Sequence, residues 1–333
     1  MAADWLAALN TQLAAGQDVV LVTVAGTQGS APREAGATML VGADSTALTI
    51  GGGHLEWQAI AQARRRLTAE NSRPQVQRYN LGARLGQCCG GVVWLLFENI
   101  AASSLAEWQA RRDAVENGAC LQRRLDHRAA ASNWTPDGEH AVTKLVGGPE
   151  EWQFSQKIAV DRFPVWIFGA GHVAQALVHQ LQPLGAAITW IDSRDEAFAG
   201  LATDGIDTRL TDTPESEVAQ APAGTFFIIM THSHTLDFAL CEAVYRRRDF
   251  AYFGLIGSQS KRASFEHRLL DRGLARERLE ELTCPIGIAG IVSKQPAAIA
   301  LAVGAEILQI HHARQLLTQA ARPRLSTSTI QPE

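Results

Sequence analysis

The sequence predicts an α/β protein of two domains, the second of which is a doubly wound parallel sheet. The chain has 333 residues, and at roughly 100–200 residues per domain this length suits two separate cores. In the second half, short apolar runs alternate with helical patterns, which is typical of a parallel sheet covered on both faces. The loop Gly169-x-Gly171-x-x-Ala174 lies between a predicted strand and a predicted helix, as in Rossmann-like folds.

The first half, residues 1–150, predicts an N-terminal α/β domain. Apolar residues at helical spacing predict a helix that ends near Gly16, and β-branched or alternating runs predict strands. The expected elements are a helix near 5–13, strands at 18–24, 37–41, 45–50 and 92–97, and a helix at 54–67. The polar stretch 128–148 indicates a domain boundary between that stretch and Phe163, after a short hairpin or linker.

The second domain is expected over residues 160–320, followed by a flexible tail, 321–333, with a Ser/Thr-rich segment at 326–329. Four- or five-residue apolar runs predict its strands, and amphipathic patterns predict the helices between them. The expected strands are 165–168, 187–191, 226–230 and 252–256, and the expected helices are 173–182, 236–247, 261–272 and 296–317.

Composition excludes several classes of function. Thirty Lys and Arg against 34 Asp and Glu give a net charge of −4, so no cationic field for nucleic acid is expected. Apolar runs fall short of the roughly 20 residues that cross a membrane, and Asp4 stands where a signal peptide would carry basic charge. Five cysteines are too few and odd in number for a disulfide framework. We therefore expect a soluble, cytoplasmic protein.

The glycine loop of the second domain predicts a phosphate-binding turn. Gly169 permits a tight turn, Gly171 permits close approach of backbone to a phosphate, and Asp192 follows where an acidic side chain can accept a ribose hydroxyl. The sequence leaves three possibilities for this loop, namely NAD(P), a pterin phosphate or no dinucleotide, because a fold does not by itself determine which ligand is bound.

The segment 85–91 has the most unusual composition in the chain. Cys88 and Cys89 are adjacent and flanked by glycines, so a bulky ligand or a partner sulfur could reach them. Because thiolates are soft ligands and nucleophiles, metal binding and persulfide transfer are both reasonable; the alternative is that one or both are small buried hydrophobes.

Two histidines and a run of arginines carry further hypotheses. His232 and His234, with Asp237, follow a predicted strand and suit ligand contact, helix capping or, less well, a metal. Arg64-Arg65-Arg66 is interpreted as a solvated face or part of a docking patch. His311 and His312 on the last helix are expected to face solvent.

Seven segments of the chain carry a common pattern: 29–37, 50–56 and 85–91 in the first domain and 168–174, 231–237, 254–265 and 284–287 in the second. Taken together, these segments resemble the XdhC/CoxI family of xanthine dehydrogenase accessory proteins. Ser233, where an acidic residue is more familiar, and the stretch 289–294 depart from the family pattern, which weakens a metal assignment at the histidines.

The resemblance implies a chaperone with no catalytic residues. Such a protein would bind the molybdenum cofactor (molybdopterin), protect it while a cysteine desulfurase supports its sulfuration, and insert it into the large subunit of xanthine dehydrogenase or a related molybdenum hydroxylase. A homodimer is expected. Glycine N–H groups at a helix start suit its phosphate, and Cys88 or Cys89 suits a contact with molybdenum. The expected cofactor-binding residues are Gly51, Gly52, Gly53, Gln87, Cys88, Cys89, Gly90, Gly169, Gly171, Asp192 and His232.

Two other functions stay open at this point. An NAD(P)-dependent oxidoreductase would use the Rossmann loop, with His232 or His234 transferring a proton. A protein that only docks partners would keep an empty Rossmann pocket. The sequence does not say whether the cargo is the pterin or its dinucleotide, or which hydroxylase receives it.

Overall fold

The structure, a computed structural model, describes residues 4–69, 73–82, 90–136, 142–148, 150–160 and 162–320, and the side chains up to residue 317. The chain divides into two compact units, residues 1–161 and 162–325. None of the helices in these described stretches combines the length and apolar character that crossing a bilayer requires.

The first unit is built on an antiparallel sheet whose strands follow the order β3-β2-β1-β5-β4. Residues of the central strand β1 are buried on both faces, which explains its uninterrupted β-branched run. One face packs on α2 through residues such as Leu55 and Ala59, and the other packs on α1 and α3 through Trp5 and Trp108. The elements are α1 (Asp4–Ala14), β1 (Val19–Gln28), β2 (Thr38–Val41), β3 (Thr46–Ala47), α2 (Gly53–Leu67), β4 (Gln75–Asn80), β5 (Val92–Ile100) and α3 (Leu105–Glu116).

A second antiparallel sheet completes the first unit, where the sequence predicted a short hairpin or linker. Its strands are β6 (Leu121–Asp126), β7 (Asn133–Pro136), β8 (Lys144–Gly147) and β9 (Trp152–Ile158), in the order β7-β6-β9-β8. The edge strands β7 and β8 are short and only partly buried. Such strands lack the alternating apolar pattern by which a sequence predicts sheet.

The second unit is a five-stranded parallel sheet in the order β12-β11-β10-β13-β14. Separate clusters of buried apolar side chains cover its two faces. This confirms the predicted doubly wound α/β fold. The elements are β10 (Phe163–Phe168), α4 (His172–Leu181), β11 (Ala186–Asp192), β12 (Asp207–Leu210), α5 (Pro214–Glu217), β13 (Phe226–Ile229), α6 (His234–Tyr245), β14 (Tyr252–Leu255), α7 (Gln259–Asp271) and α8 (Pro296–Ala320).

Two smaller expectations are wrong. His311 is half-buried and stacks on Phe163 with 4.0 Å between ring centroids, so only His312 of that pair faces solvent. Arg66 is buried at 8% exposure and donates hydrogen bonds to Asn99 and Gln75. It is therefore not part of a solvated arginine face, unlike Arg64 and Arg65. The side chains of His311 and Arg66 carry an apolar portion that packs well, which sequence polarity alone does not reveal.

Candidate functional site

Three glycine-containing loops of the first unit leave its sheet at the same end. Gln28, the last residue of β1, pairs with Val92, the first residue of β5. The loop after β1 and the connection from β4 to β5 therefore start side by side. β3 pairs antiparallel with β2, as β1 does, so the chain leaving β3 runs towards that same end before α2 starts at Gly53.

One glycine of each later loop packs directly against the loop that follows β1. A Cβ on Gly51 would lie 2.3 Å from the Cβ of Pro32, and a Cβ on Gly91 would lie 2.3 Å from the carbonyl oxygen of Ser30. No side chain fits at such distances, so glycine is required at both positions for this close approach. Gly51 and Gly91 thus each contact the loop that follows β1.

The neighbouring glycines, Gly52 and Gly90, are open. A Cβ at either position would have no heavy atom of the described residues within 4 Å. Gly51, Gly52 and Gly53 all have positive φ, of 118°, 73° and 69°, so the turn into α2 is a conformation that favours glycine at each step. Gly90 is exposed while Gly91 beside it is buried, whereas Gly52 is only half-buried, so Gly90 has the more accessible backbone of the two.

Glu56 fills the position that the sequence offered to a phosphate. Its Oε2 accepts hydrogen bonds from Ile50 N (3.0 Å), Gly52 N (3.0 Å) and the Thr49 hydroxyl (2.5 Å), while Gly51 N donates to the Thr49 hydroxyl. A carboxylate is stabilised here because it faces the N-terminus of α2. An anionic ligand that took the Gly52 N–H would have to displace this carboxylate.

Glu56 belongs to the segment 50–56 on which the resemblance rests, but no role was predicted for it from the sequence. The available signal was a carboxylate in the first turn of a helix that starts from glycines, which is a known way to satisfy free N–H groups. Arg33 lies at the same turn, where its Nη1 donates to the carbonyl of Thr49 at 3.4 Å. The predicted residues Gln87, Cys88 and Cys89 lie outside the described residues, which resume at Gly90.

In the second unit, Gly169 and Gly171 have separate roles. Gly169 has a φ of 104°, and a Cβ there would lie 2.4 Å from the carbonyl oxygen of Met230, so the turn after β10 requires glycine. Gly171 caps the N-terminus of α4 in ordinary extended backbone and has open space at its Cβ position. Only Gly171 leaves room for a ligand at the helix start.

Asp192 is already fully engaged. Its buried carboxylate accepts hydrogen bonds from Ala170 N (2.7 Å) and from Arg194 through its backbone N (2.9 Å), Nε (3.0 Å) and Nη2 (2.8 Å). Burial alone would raise the pKa of Asp192, but these hydrogen bonds and the charge of Arg194 hold it below its usual value. A ribose hydroxyl would have to compete with Arg194 for this acceptor.

A cleft at the carboxyl ends of β10, β11 and β13 brings Gly169, Asp192 and His232 together, whereas Gly171 does not line it. This is the switch point of the strand order, where ligands of open α/β sheets bind. It has essentially no enclosed space for even a water molecule, whereas small-molecule pockets hold roughly 300–1,000 Å³. In this conformation the cleft is too small for a dinucleotide.

The histidine segment does not form a metal site. His232 and His234 are exposed, and Asp237 is buried in an ion pair with Lys261 (Nζ to Oδ2, 2.5 Å). Within the stretches that the structure describes, no group of three His, Cys, Asp or Glu side chains is close enough to hold a metal ion.

Ser233 instead caps α6 by accepting a hydrogen bond from Leu236 N, and Asp237 also accepts the hydroxyl of Thr231 at 2.7 Å. The segment therefore ties the end of β13 to α6 and α7. Sequence reasoning missed Lys261, because its partner lies 24 residues away and no local pattern marks the pair.

Two family profiles match the chain. The profile of the XdhC and CoxI family matches residues 12–80, and the profile of the XdhC Rossmann domain matches residues 165–307. Together they span almost two thirds of the chain. The segment 85–91, with the adjacent cysteines, lies between the two matched ranges.

Among solved structures, a protein described as a xanthine dehydrogenase from Bacillus halodurans superposes with a TM-score of 0.74 and 20% identity, covering 96% of this chain and 98% of that one. At this identity the likeness shows the fold alone. ChuY of Escherichia coli CFT073 aligns with 48% of this chain and 91% of its own at 15% identity, with a TM-score of only 0.26. A search of curated proteins finds no match.

Proposed function

Because the chain belongs to the XdhC and CoxI family, an accessory family of xanthine dehydrogenase, we propose that it is a chaperone for the molybdenum cofactor. In this function the cofactor is cargo: the protein binds it, shields it during sulfuration and releases it to the large subunit of xanthine dehydrogenase or a related molybdenum hydroxylase. The chain itself performs no turnover.

The observation that carries this proposal is the pairing of packed and open glycines at one end of the first-unit sheet. Gly51 and Gly91 bring the loops together, while a Cβ on Gly52 or Gly90 would meet no atom of the described residues. The positive φ of Gly52 by itself favours glycine in the turn. Gly90 is exposed, so its missing side chain leaves room for a ligand beside the loops. The N-terminus of α2, where Glu56 accepts the Gly52 N–H, suits an anionic group in place of that carboxylate.

The cysteines give this site its proposed metal chemistry. Cys88 and Cys89 immediately precede the open Gly90 in sequence, so a ligand that approaches Gly90 is within reach of the thiol segment. Thiolate is a soft ligand that suits molybdenum or its terminal sulfur. Gly51, Gly52 and Gly53 would face the pterin phosphate, with Glu56 as the group displaced, and Gln87 would contribute an amide. Gly169, Gly171, Asp192 and His232 remain proposed contacts in the second unit.

The proposed partners follow from the same function. A cysteine desulfurase would supply the sulfur while the cofactor is bound, and the client hydroxylase would accept the sulfurated cofactor. We propose that the protein works in the cytoplasm and as a homodimer. Binding must be tight enough to protect an oxidation-sensitive cargo and weaker than binding to the client, because transfer has to be downhill.

Anaerobic purification followed by molybdenum and pterin analysis tests the proposal. Gly90→Ala adds a methyl group that meets no atom of the described residues within 4 Å, so a loss of cargo is expected to report blocked ligand approach. Gly82→Ala is the matched control, since its Cβ also meets no atom in the part of the chain that the structure describes. We expect Gly90→Ala and the double variant Cys88→Ala/Cys89→Ala to lower cofactor content about tenfold or more, as loss of metal-site groups typically does. Gly82→Ala and Cys120→Ala should retain it.

Two results would contradict this assignment. Wild-type protein that carries neither molybdenum nor pterin, from cells that make both, would exclude a cargo function. Full cofactor content and full activation of xanthine dehydrogenase by the double cysteine variant would exclude the thiols.

An NAD(P)-dependent oxidoreductase is the second candidate, and the clustering of Gly169, Asp192 and His232 in one cleft favours it. It requires that Arg194 release Asp192 and that the cleft widen. Saturation-transfer NMR with NADH tests it, with Gly171→Ala as the variant that should abolish a contact at the start of α4. Absence of transfer to wild-type protein would eliminate this candidate.

A further inference from the structure

The solvent side of α2 carries an unusual combination of side chains. The α2 outer face comprises residues that recur three or four positions apart, opposite the buried Leu55, Ala59 and Ala63. Its members are His54, Trp57, Gln58, Ala61, Arg64 and Arg65, which are exposed or half-buried. Trp57 is 66% exposed, and tryptophan is a residue type enriched at protein–protein interfaces.

Trp57 is held in place although it is exposed. The rings of His54 and Trp57 lie 5.4 Å apart between centroids, at an interplanar angle of 34°. Gln58 Nε2 lies 3.0 Å from His54 Nε2, within hydrogen-bond distance. A side chain that is already ordered loses less entropy on binding, so the arrangement favours a docking role.

The charged side chains of the α2 outer face are both basic. Arg64 and Arg65 are exposed, and in the described part of the chain neither guanidinium has a carboxylate within 4.0 Å. Glu56, the one acidic residue of α2, is turned towards the Gly52 N–H. In a chain with a net charge of −4, a face with two unpaired arginines and no acid is a local departure from the overall charge.

We infer that the α2 outer face docks the client hydroxylase, whose matching surface presents acidic side chains around an apolar recess that receives Trp57. Tryptophan and arginine are the residues most enriched among energetic hot spots, and opposite charge steers association. The inference rests on the proposed function, because α2 begins at the Gly51–Gly53 turn. A client seated on this face would lie beside the proposed cargo position at the moment of transfer.

Biolayer interferometry with immobilised, cofactor-free xanthine dehydrogenase large subunit tests the inference. The variants are Trp57→Ala and Arg64→Glu/Arg65→Glu, each measured at roughly 0.05 and 0.5 M salt to vary screening. The matched control is Arg246→Glu/Arg248→Glu, the same charge change at two exposed arginines of the second unit. Arg64→Lys/Arg65→Lys keeps the charge and should bind nearly as wild type.

Trp57→Ala should weaken binding by about tenfold or more at both salt concentrations, as a hot-spot residue does. Arg64→Glu/Arg65→Glu should weaken it by about tenfold at low salt, mainly through slower association, and by less at high salt. Cofactor content of the same preparations should be unchanged, and their thermal melting should match that of wild type.

Two outcomes are distinct. If wild type binds the client and both α2 variants bind equally well, the docking inference is overturned and the proposed function stands. If wild type fails to bind at either salt concentration, both are overturned.

Discussion

A buried ion pair between the two sheets of the first unit offers a stringent test of how that unit is held together. Glu98 on β5 and Arg123 on β6 are 3% and 0% exposed, with Nη2 2.6 Å from Oε2. The guanidinium lies 5.5 Å from the ring centroid of Trp5, and among the described residues neither its three nitrogens nor Glu98 Oε2 has a hydrogen-bond partner, so the pair is a charge contact only. Burial lowers the pKa of Arg123, and Glu98 opposes that change.

The expected effects of Glu98→Leu, Arg123→Met and the double variant follow from this burial. Either single change leaves one charge buried without its partner, which costs about 3–5 kcal/mol of unfolding free energy. The double change removes both desolvation penalties along with the attraction, so its cost should stay below about 2 kcal/mol. For a unit of 161 residues, the single changes correspond to a fall in Tm of roughly 6–20 °C.

Differential scanning calorimetry of the full chain measures the effect in the transition of the first unit. Arg112→Met is the matched control, because Arg112 and Asp113 form a pair of the same 2.6 Å length while being 32% and 54% exposed. Exposed pairs contribute about 0–1 kcal/mol. If the two single variants destabilise additively in the double variant, the charges do not depend on each other and the reasoning is wrong.

The remaining predictions concern protonation, backbone and a second ion pair. Burial raises the pKa of all three tyrosines, Tyr79, Tyr245 and Tyr252. Tyrosinate absorbance should therefore be absent from the native protein near pH 10 and appear at that pH only after denaturation. The stability that the neutral phenols contribute is complete below about pH 10 and falls as the pH rises further. Gly51→Ala should destabilise the protein more than Gly52→Ala, and the difference between the two unfolding free energies, measured by urea denaturation, should be roughly 1–3 kcal/mol. Both glycines have a positive φ, but only a Cβ at Gly51 would meet a neighbouring carbon, at 2.3 Å. Lys261→Met should destabilise the second unit by about 3–5 kcal/mol in chemical denaturation, since it leaves Asp237 buried without its cation, and an unchanged midpoint would show that the pair contributes nothing.

The strands and helices that were predicted well have apolar side chains buried on one or both of their faces. The run that predicted a strand over 165–168 corresponds to Phe163–Phe168, and the helix expected at 261–272 is Gln259–Asp271. The strand Asp207–Leu210 was not predicted, because it lies at the sheet edge and its residues are mostly exposed. An edge strand is held by backbone pairing with its neighbour, which leaves little trace in side-chain polarity.

The candidate sites show a similar division. Glycines were identified from the sequence because their function is local, in a turn or at a helix start. Glu98 with Arg123, and Asp237 with Lys261, were not, because each pair joins elements that are distant in sequence. Charged residues in amphipathic segments look alike before folding, and only packing decides which of them becomes buried.

Paired glycines in both units separate the requirements of the fold from those of a ligand. The inner member of each pair faces backbone or proline atoms at 2.3–2.4 Å, so its substitution changes the fold whatever the protein binds. The outer member faces open space, and Gly171 in addition has ordinary extended backbone, so alanine there adds a methyl group without strain. Variants at Gly90 and Gly171 therefore report on ligands, whereas alanine at Gly52 also strains the turn because of its φ of 73°. Loss of function at an inner position says nothing about ligands. The pairs are Gly51 with Gly52, Gly91 with Gly90, and Gly169 with Gly171.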